Sequence, residues 1–192
     1  MRSHELPRKR RWLLERMPPA GVCAEIGVWK GDFSRWILEL TRPTVLHLID
    51  PWAFSHAARD RETWRGGGAA REQADLDRIH DSVAARFAPE VATGQAAIHR
   101  APSHAVAGRF PEASFDGVYI NGDHSYDAVS RDLALWAPKV KPGGVVASDD
   151  YRENPIYGTD VVRAVDEFAA EHGLSVESRG RQFLMRLPPL RG

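Results

Sequence analysis

Apolar residues along the chain follow two different spacings, and these spacings alternate from one end to the other. Short continuous apolar runs, typical of buried strands, occur at 22–27, 44–49, 95–99, 115–120 and 145–147. Apolar residues three or four positions apart, typical of amphipathic helices, occur at 32–40, 70–87, 125–136 and 161–171. Strands that alternate with helices predict βαβ units on a parallel sheet.

Three segments stand outside this alternation. Residues 1–20 are predicted to form an N-terminal helical extension, in which the basic run 8–11 lies on a solvent-exposed face. Near the other end, apolar positions at 174–177 and 182–187 flank an Arg-Gly turn and predict a hairpin, whose second strand runs antiparallel to the first. The polar segment 54–68, which closes with three glycines, is interpreted as a lid beside a site.

Composition narrows the class of protein. The 192 residues suit a single domain, 1–192, and 26 basic residues balance 26 acidic ones, so no net positive field favours nucleic acid as a partner. Cys23 is the only cysteine, which excludes a disulfide framework and a cysteine metal site. No run of about 18 apolar residues occurs, so we expect no membrane partner and a cytoplasmic location.

A glycine turn follows the first predicted strand. The segment Glu25-Ile26-Gly27-Val28-Trp29-Lys30-Gly31 leads into a helix, and its glycines let the backbone approach a ligand closely. The segment is not the G-x-G-x-x-G dinucleotide fingerprint, since only Gly27 and Gly31 are glycines, and a tight turn without a ligand remains an alternative. Asp50 ends the second strand 23 positions beyond Gly27, where its carboxylate can accept the hydroxyl protons of a ribose. Together these residues predict a nucleoside site.

The chain resembles the class I S-adenosylmethionine-dependent methyltransferases at Glu25, Gly27, Gly31 and Asp50, and at the later Pro-Gly-Gly, 142–144. The resemblance extends over nearly the whole chain. It implies a Rossmann-like α/β fold, a three-layer sandwich around a seven-stranded, mostly parallel sheet with an antiparallel last strand. It also places Glu25, the first residue of the glycine motif, in the cofactor site.

The same resemblance assigns parts of S-adenosyl-L-methionine to individual residues. Gly27 and Gly31 are expected beside its methionine portion, and Asp50 on its ribose. Trp52 or Ser103, the latter predicted to cap a short helix, is expected near the adenine. For Trp52, packing in the core is an equal alternative.

A second group of polar residues follows the fourth and fifth predicted strands. Asn121-Gly122-Asp123-His124-Ser125-Tyr126 ends one strand and Asp149-Asp150-Tyr151 ends the other, so both are expected at the ligand-facing edge. Several carboxylates and an imidazole at one edge need a cation or a proton relay to relieve them. A charged turn without function is the alternative for the two aspartates.

These two motifs resemble those of sugar and macrolide O-methyltransferases, in which a D-G-D-x-Y-like and a D-D-Y-like motif surround a divalent metal. The resemblance makes Asp149, Asp150 and Asn121 the candidate ligands of Mg²⁺. Because Asn121 stands where the family has an acid, we expect weaker metal binding. The candidate catalytic bases are Asp123 and His124.

The sequence therefore predicts a methyltransferase that acts on the oxygen of a small hydroxylated metabolite, with a divalent metal as a candidate aid. Two alternatives stay open, namely methylation of nitrogen or carbon without a metal, and a cofactor-binding module without activity. The amphipathic N-terminal helix could cover the site or contact a second copy, so a homo-oligomer is a further expectation.

Overall fold

The computed structural model describes residues 8–54, 70, 72–153 and 157–189. Within these residues the strands are β1 (Val22–Ile26), β2 (Val45–Asp50), β3 (Ala96–Arg100), β4 (Phe115–Ile120), β5 (Val140–Ser148), β6 (Val176–Arg179) and β7 (Gln182–Arg186). The α-helices are α1 (Arg8–Leu14), α2 (Asp32–Thr41), α3 (Gln73–Arg86), α4 (Ala88–Ala92), α5 (Ser103–Ala107), α6 (Tyr126–Trp136) and α7 (Asp160–His172).

The strands form one sheet in the order β3-β2-β1-β4-β5-β7-β6. Neighbours among β1 to β5 pair in parallel, whereas β7 is antiparallel to both β5 and β6. The predicted hairpin thus inserts its second strand between β5 and β6. This arrangement confirms the predicted fold class, a Rossmann-like sheet with one reversed strand. The single domain over 1–192 stays a prediction.

Both faces of the sheet carry apolar side chains, because helices pack on each side of the parallel strands and bury both faces. On one face, α1, α2 and α3 pack over a core that includes Cys23, Leu46, Tyr119 and Ala147. On the other, α5, α6 and α7 pack over a core that includes Ala24, Val118, Val146 and Phe183. The fold is therefore a three-layer sandwich. Burial raises the pKa of Cys23 to about 12, so this thiol is an inert core residue.

The fifth strand begins earlier than the sequence predicts. We expected it at 145–147, after a Pro-Gly-Gly break, but it starts at Val140. Phe115 pairs with Val140 and Gly117 then pairs with Val145, so the intervening residues of β5 bulge out of the register with β4. The glycines interrupt the pairing without ending the strand.

Two helix predictions also need correction. The helix expected over 70–87 starts at Gln73, because a capping box between Glu72 and Asp75 fixes its beginning. Ser103 does not cap α5, since the cap position is Pro102 and the Ser103 hydroxyl turns to another helix. Residues 55–68 of the predicted lid lie outside the residues that the structure describes. None of the helices in the described ranges is long and apolar enough to cross a membrane.

Helix α1 lies across the sheet on the side of α2 and contacts both α2 and β7. Leu13 and Leu14 are buried, and Met17 beyond the helix end lies near Gly117 in the first half of β4. The other end of α1 reaches the edge where the parallel strands finish, because Arg10 contacts Asp149 there. The prediction that the basic run 8–11 forms a solvated face is therefore wrong for Arg10.

Candidate active site

The carboxyl ends of β1, β2 and β4 meet at one edge of the sheet and bring the glycine turn close to the second motif. Gly27 donates its amide to the Ile49 carbonyl at 2.9 Å, and the Asn121 amide donates to the Ile26 carbonyl at 2.7 Å. Gly27 has a φ of +86°, and a Cβ there would lie 2.0 Å from the Asn121 carbonyl oxygen. Glycine is therefore required for this close approach of two strand ends, whatever ligand binds beside it.

Gly31 also has a role in packing. It is the N-cap of α2 with a φ of +73°, and a Cβ there would lie 2.6 Å from the ring of Phe87. The predicted contact of Gly27 and Gly31 with the cofactor stays a prediction, while the structure explains both glycines by backbone conformation and close packing.

Asp50 holds the turn between β1 and α2. Its Oδ2 accepts from the Trp29 amide at 2.9 Å and its Oδ1 from the Trp52 amide at 2.8 Å. The side chain is buried, which raises the pKa of Asp50, while these backbone hydrogen bonds lower it. The Val28 amide contributes a third backbone hydrogen bond, so of the four lone pairs of this carboxylate one is left for a ribose hydroxyl.

Glu25 points into the core on the side of α2 and accepts a hydrogen bond from the Ser34 hydroxyl. Only 1% of Glu25 is exposed, and burial raises its pKa to about 8. The nearby Asp50 raises the pKa further, while Ser34 and Arg10 lower it. In the free protein Glu25 is therefore mostly protonated at pH 7, and a positively charged ligand beside it would favour ionisation.

Trp52 and Ser103, the two residues expected near adenine, are both engaged with the protein. Trp52 is fully buried, its Nε1 donates to the Trp29 carbonyl at 2.9 Å, and its ring meets His80 edge-on. This is the packing role that the sequence left as an alternative. The Ser103 hydroxyl donates to Asp132 Oδ1 at 2.5 Å. Asp132, which the sequence reasoning missed, is a buried acid of α6 whose pKa is raised by burial.

His124 lies between the ends of β4 and β5. Its Nε2 is 3.2 Å from Asn121 Oδ1 and 3.4 Å from Asp150 Oδ2. Both partners are acceptors, so we assign the proton to Nε2, which leaves the lone pair on Nδ1. Burial lowers the pKa of His124, although Asp123 and Asp149 oppose this. The imidazole is therefore neutral at pH 7 and able to take a proton.

Asp123, the other candidate base, is used locally. Its Oδ1 accepts from the Ser125 amide at 2.8 Å, at the point where α6 begins. This contact satisfies an amide that the helix cannot pair internally. The geometry therefore favours His124 over Asp123 for proton transfer.

Two arginines lie against the carboxylates of Asp149 and Asp150. Arg10 Nη2 is 3.0 Å from Asp149 Oδ2, and Arg181 Nε is 3.8 Å from Asp149 Oδ1. Arg181 Nη2 also pairs with Asp150 Oδ1, and His124 faces the other oxygen of Asp150. Each carboxylate oxygen thus faces a nitrogen donor of the protein, since the Asp150 amide also donates to Asp149 Oδ1.

This arrangement bears on the predicted Mg²⁺ site of Asp149, Asp150 and Asn121. A hard cation needs accessible oxygen ligands, but guanidinium groups lie against both carboxylates and the His124 imidazole lies against Asn121. Within the part of the chain that the structure describes, no group of three or more His, Cys, Asp or Glu side chains could hold a metal ion. The residues as arranged do not fit a divalent cation.

The sequence reasoning missed both arginines, although one signal was present. Arg10 stands three and four positions before Leu13 and Leu14, so on a helix it shares their buried face. Arg181 follows Gly180 in a hairpin turn, and no local pattern indicates where its side chain points.

A family model described as a methyltransferase domain matches residues 24–151, about two thirds of the chain. The chain belongs to this methyltransferase family. The match confirms the predicted resemblance to class I S-adenosylmethionine-dependent methyltransferases and the assignment as an enzyme. It covers Glu25, Gly27, Asp50 and His124, but neither arginine of the Asp149 site.

Solved structures share the fold at low sequence identity. The O-methyltransferase NovP is 21% identical with a TM-score of 0.59, over 93% of this chain and 78% of that one. The O-methyltransferase TomG from Streptomyces achromogenes, involved in tomaymycin synthesis and solved in complex with SAM, is 17% identical with a TM-score of 0.57, over 94% and 77%.

A third similar structure is the 1,6-didemethyltoxoflavin N1-methyltransferase of Burkholderia thailandensis, solved with 1,6-didemethyltoxoflavin and S-adenosylhomocysteine. It is 14% identical with a TM-score of 0.56, over 94% of this chain and 77% of that one. No curated protein matches the chain in sequence. These structures share the fold while their acceptor atoms differ.

Proposed function

We propose that this methyltransferase transfers the methyl group of S-adenosylmethionine to the oxygen of a small hydroxylated acceptor. The observation that carries the proposal is the pairing of His124 with Asp150 at the edge where the parallel strands end. A hydroxyl is a weak nucleophile until its proton is removed, and a neutral, oriented imidazole can remove it. The O-methyltransferases NovP and TomG, which share the fold, support the same acceptor atom.

The residues of the chain divide the work of cofactor binding. Bound S-adenosylmethionine would supply an electrophilic methyl group on a sulfonium. Asp50 would accept a ribose hydroxyl with the lone pair that the amides of Val28, Trp29 and Trp52 leave free. Glu25, mostly protonated in the free protein at pH 7, would ionise beside the cationic cofactor.

Proton removal follows from the His124 geometry. Nδ1 of His124 would accept the proton of the acceptor hydroxyl as the carbon–oxygen bond forms and the carbon–sulfur bond breaks, giving the methyl ether and S-adenosylhomocysteine. Asn121 Oδ1 accepts the hydrogen bond of Nε2, and Asp150 Oδ2, 3.4 Å from the same nitrogen, would stabilise the resulting imidazolium. The expected gain from such a base is on the order of 10²–10⁴ in rate.

Two variants of adjacent residues test this assignment. His124→Gln should lower kcat on the order of a hundredfold or more and leave the Kd of S-adenosylhomocysteine almost unchanged. Asp123→Asn is the matched control, because an asparagine oxygen can still accept from the Ser125 amide. Transfer of radiolabelled methyl groups to a panel of hydroxylated acceptors measures both. Loss of activity in Asp123→Asn with full activity in His124→Gln would reverse the assignment.

Methylation of nitrogen is the second candidate. It is favoured by the pairing of the two aspartates with arginines and by the fold shared with a didemethyltoxoflavin N1-methyltransferase. A panel that pairs each hydroxylated acceptor with its amino analogue separates the two. Tight binding of the cofactor without turnover on either set would instead indicate a binding module.

A further inference from the structure

We propose that the guanidinium groups of Arg10 and Arg181 together replace a divalent cation at the Asp149 and Asp150 carboxylates, so that this site works without a metal. The proposal deepens the proposed function, because it concerns the same edge of the sheet and rests on it for the reaction. It concerns residues on both sides of the family match, which covers 24–151.

The first argument is contact. The two aspartate side chains are 10% and 15% exposed, and the guanidinium groups reach them from two separate elements. Arg10 comes from α1 and contacts Asp149, whereas Arg181 comes from the turn between β6 and β7 and contacts both. Positive charge therefore lies against both carboxylates.

The second argument is that each arginine is held in place. Leu13 and Leu14 bury one face of α1, and the Arg10 guanidinium lies 5.2 Å from the centre of the Phe33 ring, a cation–π contact. The backbone carbonyl of Arg181 accepts from the Tyr151 amide at 2.9 Å, which fixes the hairpin turn against the end of β5. Neither contact depends on a ligand.

The third argument is charge. Two adjacent, largely buried carboxylates repel each other and are costly to ionise unless positive charge lies beside them. Two guanidinium groups, always protonated, carry the same total charge as one divalent ion. Asn121, which stands where the related motif has an acid, removes a third negative charge. With both guanidinium groups in place the set is neutral, so it offers an added cation no net attraction.

Binding of Mn²⁺, followed by electron paramagnetic resonance on the full chain, tests the proposal without any acceptor. We expect no bound Mn²⁺ in the wild type at ~1 mM ion, and an unchanged signal in the Asp149→Asn variant. Arg10→Ala combined with Arg181→Ala should raise Mn²⁺ affinity at least tenfold, and adding Asp149→Asn should abolish the gain. If the double variant does not fold, Arg181→Gln alone serves the same measurement.

Arg11→Ala combined with Arg179→Ala is the matched control, since both residues are exposed. Arg11 lies on α1 beside Arg10, and Arg179 ends β6 just before the turn that carries Arg181. This control should bind no more Mn²⁺ than the wild type. The proposal is overturned if the wild type binds Mn²⁺ through Asp149, if the tested variants gain no affinity, or if the control gains as much. A chain that methylates no acceptor would refute the proposed function and leave these binding results readable.

Discussion

Replacement of Glu25 with glutamine should change how stability depends on pH. Burial raises the pKa of Glu25 from 4.5 to about 8, so between these values the folded chain holds a proton that the unfolded chain has lost. The free energy of unfolding then falls as pH rises through this window. At about 1.4 kcal/mol per pH unit, the free energy of unfolding of the wild type should fall by about 4 kcal/mol more between pH 5 and pH 9 than that of the Glu25→Gln variant.

Urea unfolding of both chains without cofactor, at pH 5, 7 and 9, measures this difference. All other titrating groups are common to both chains, so they cancel in the comparison. With an m-value of about 3 kcal/mol per molar urea, the gap between the two midpoints should change by more than about 1 M. Glu39→Gln, an exposed position on α2, is the control and should leave the pH dependence unchanged. Parallel curves for wild type and Glu25→Gln would refute the reasoning.

Three further outcomes are expected. Asp50→Ala should weaken the binding of S-adenosylhomocysteine, measured by calorimetry, at least tenfold, because a hydrogen bond to a charged group contributes about 1.5–3 kcal/mol. Unchanged affinity in a folded variant would contradict the ribose role. Gly27→Ala should cost at least about 2 kcal/mol in unfolding experiments, because its Cβ would meet Asn121. Gly94→Ala, with a similar φ of +77° and no neighbour within 4 Å, should cost less. With S-adenosylmethionine saturating, kcat/KM for the acceptor should fall as the pH drops below about 6.5, because the pKa of His124 is lowered, and a profile with no fall on the acid side would exclude His124 as the base.

Much of the fold could be predicted from the sequence because strands and helices here differ in period. The buried strand 115–120 and the helix ending at Trp136 have the predicted bounds to within a residue. The error at β5 arose because a Pro-Gly-Gly segment normally ends a strand, whereas pairing with Phe115 on the far side of the bulge extends this one. Such a continuation depends on a neighbouring strand, which a local pattern does not contain.

The site could be predicted only in part, for a related reason. Glu25, Asp50 and the Asn121 segment follow strands whose ends meet by topology alone, so their proximity is implied by the order of elements. The pairing of Asp149 with Arg10 joins residues 139 positions apart through the packing of a short helix. Which side chain fills the space between two carboxylates depends on that packing, and periodicity does not encode it.

The reach of α1 across the sheet has a consequence for anyone who shortens or transplants this enzyme. The family match starts at residue 24 and stops at residue 151, so a minimal unit cut to those bounds loses Arg10 and Arg181 together. It would keep Asp149 and Asp150 with no guanidinium beside them. The net charge at the reactive edge of the excised unit would then be two units more negative than in the parent, and its ionic requirements would no longer report on those of the whole chain.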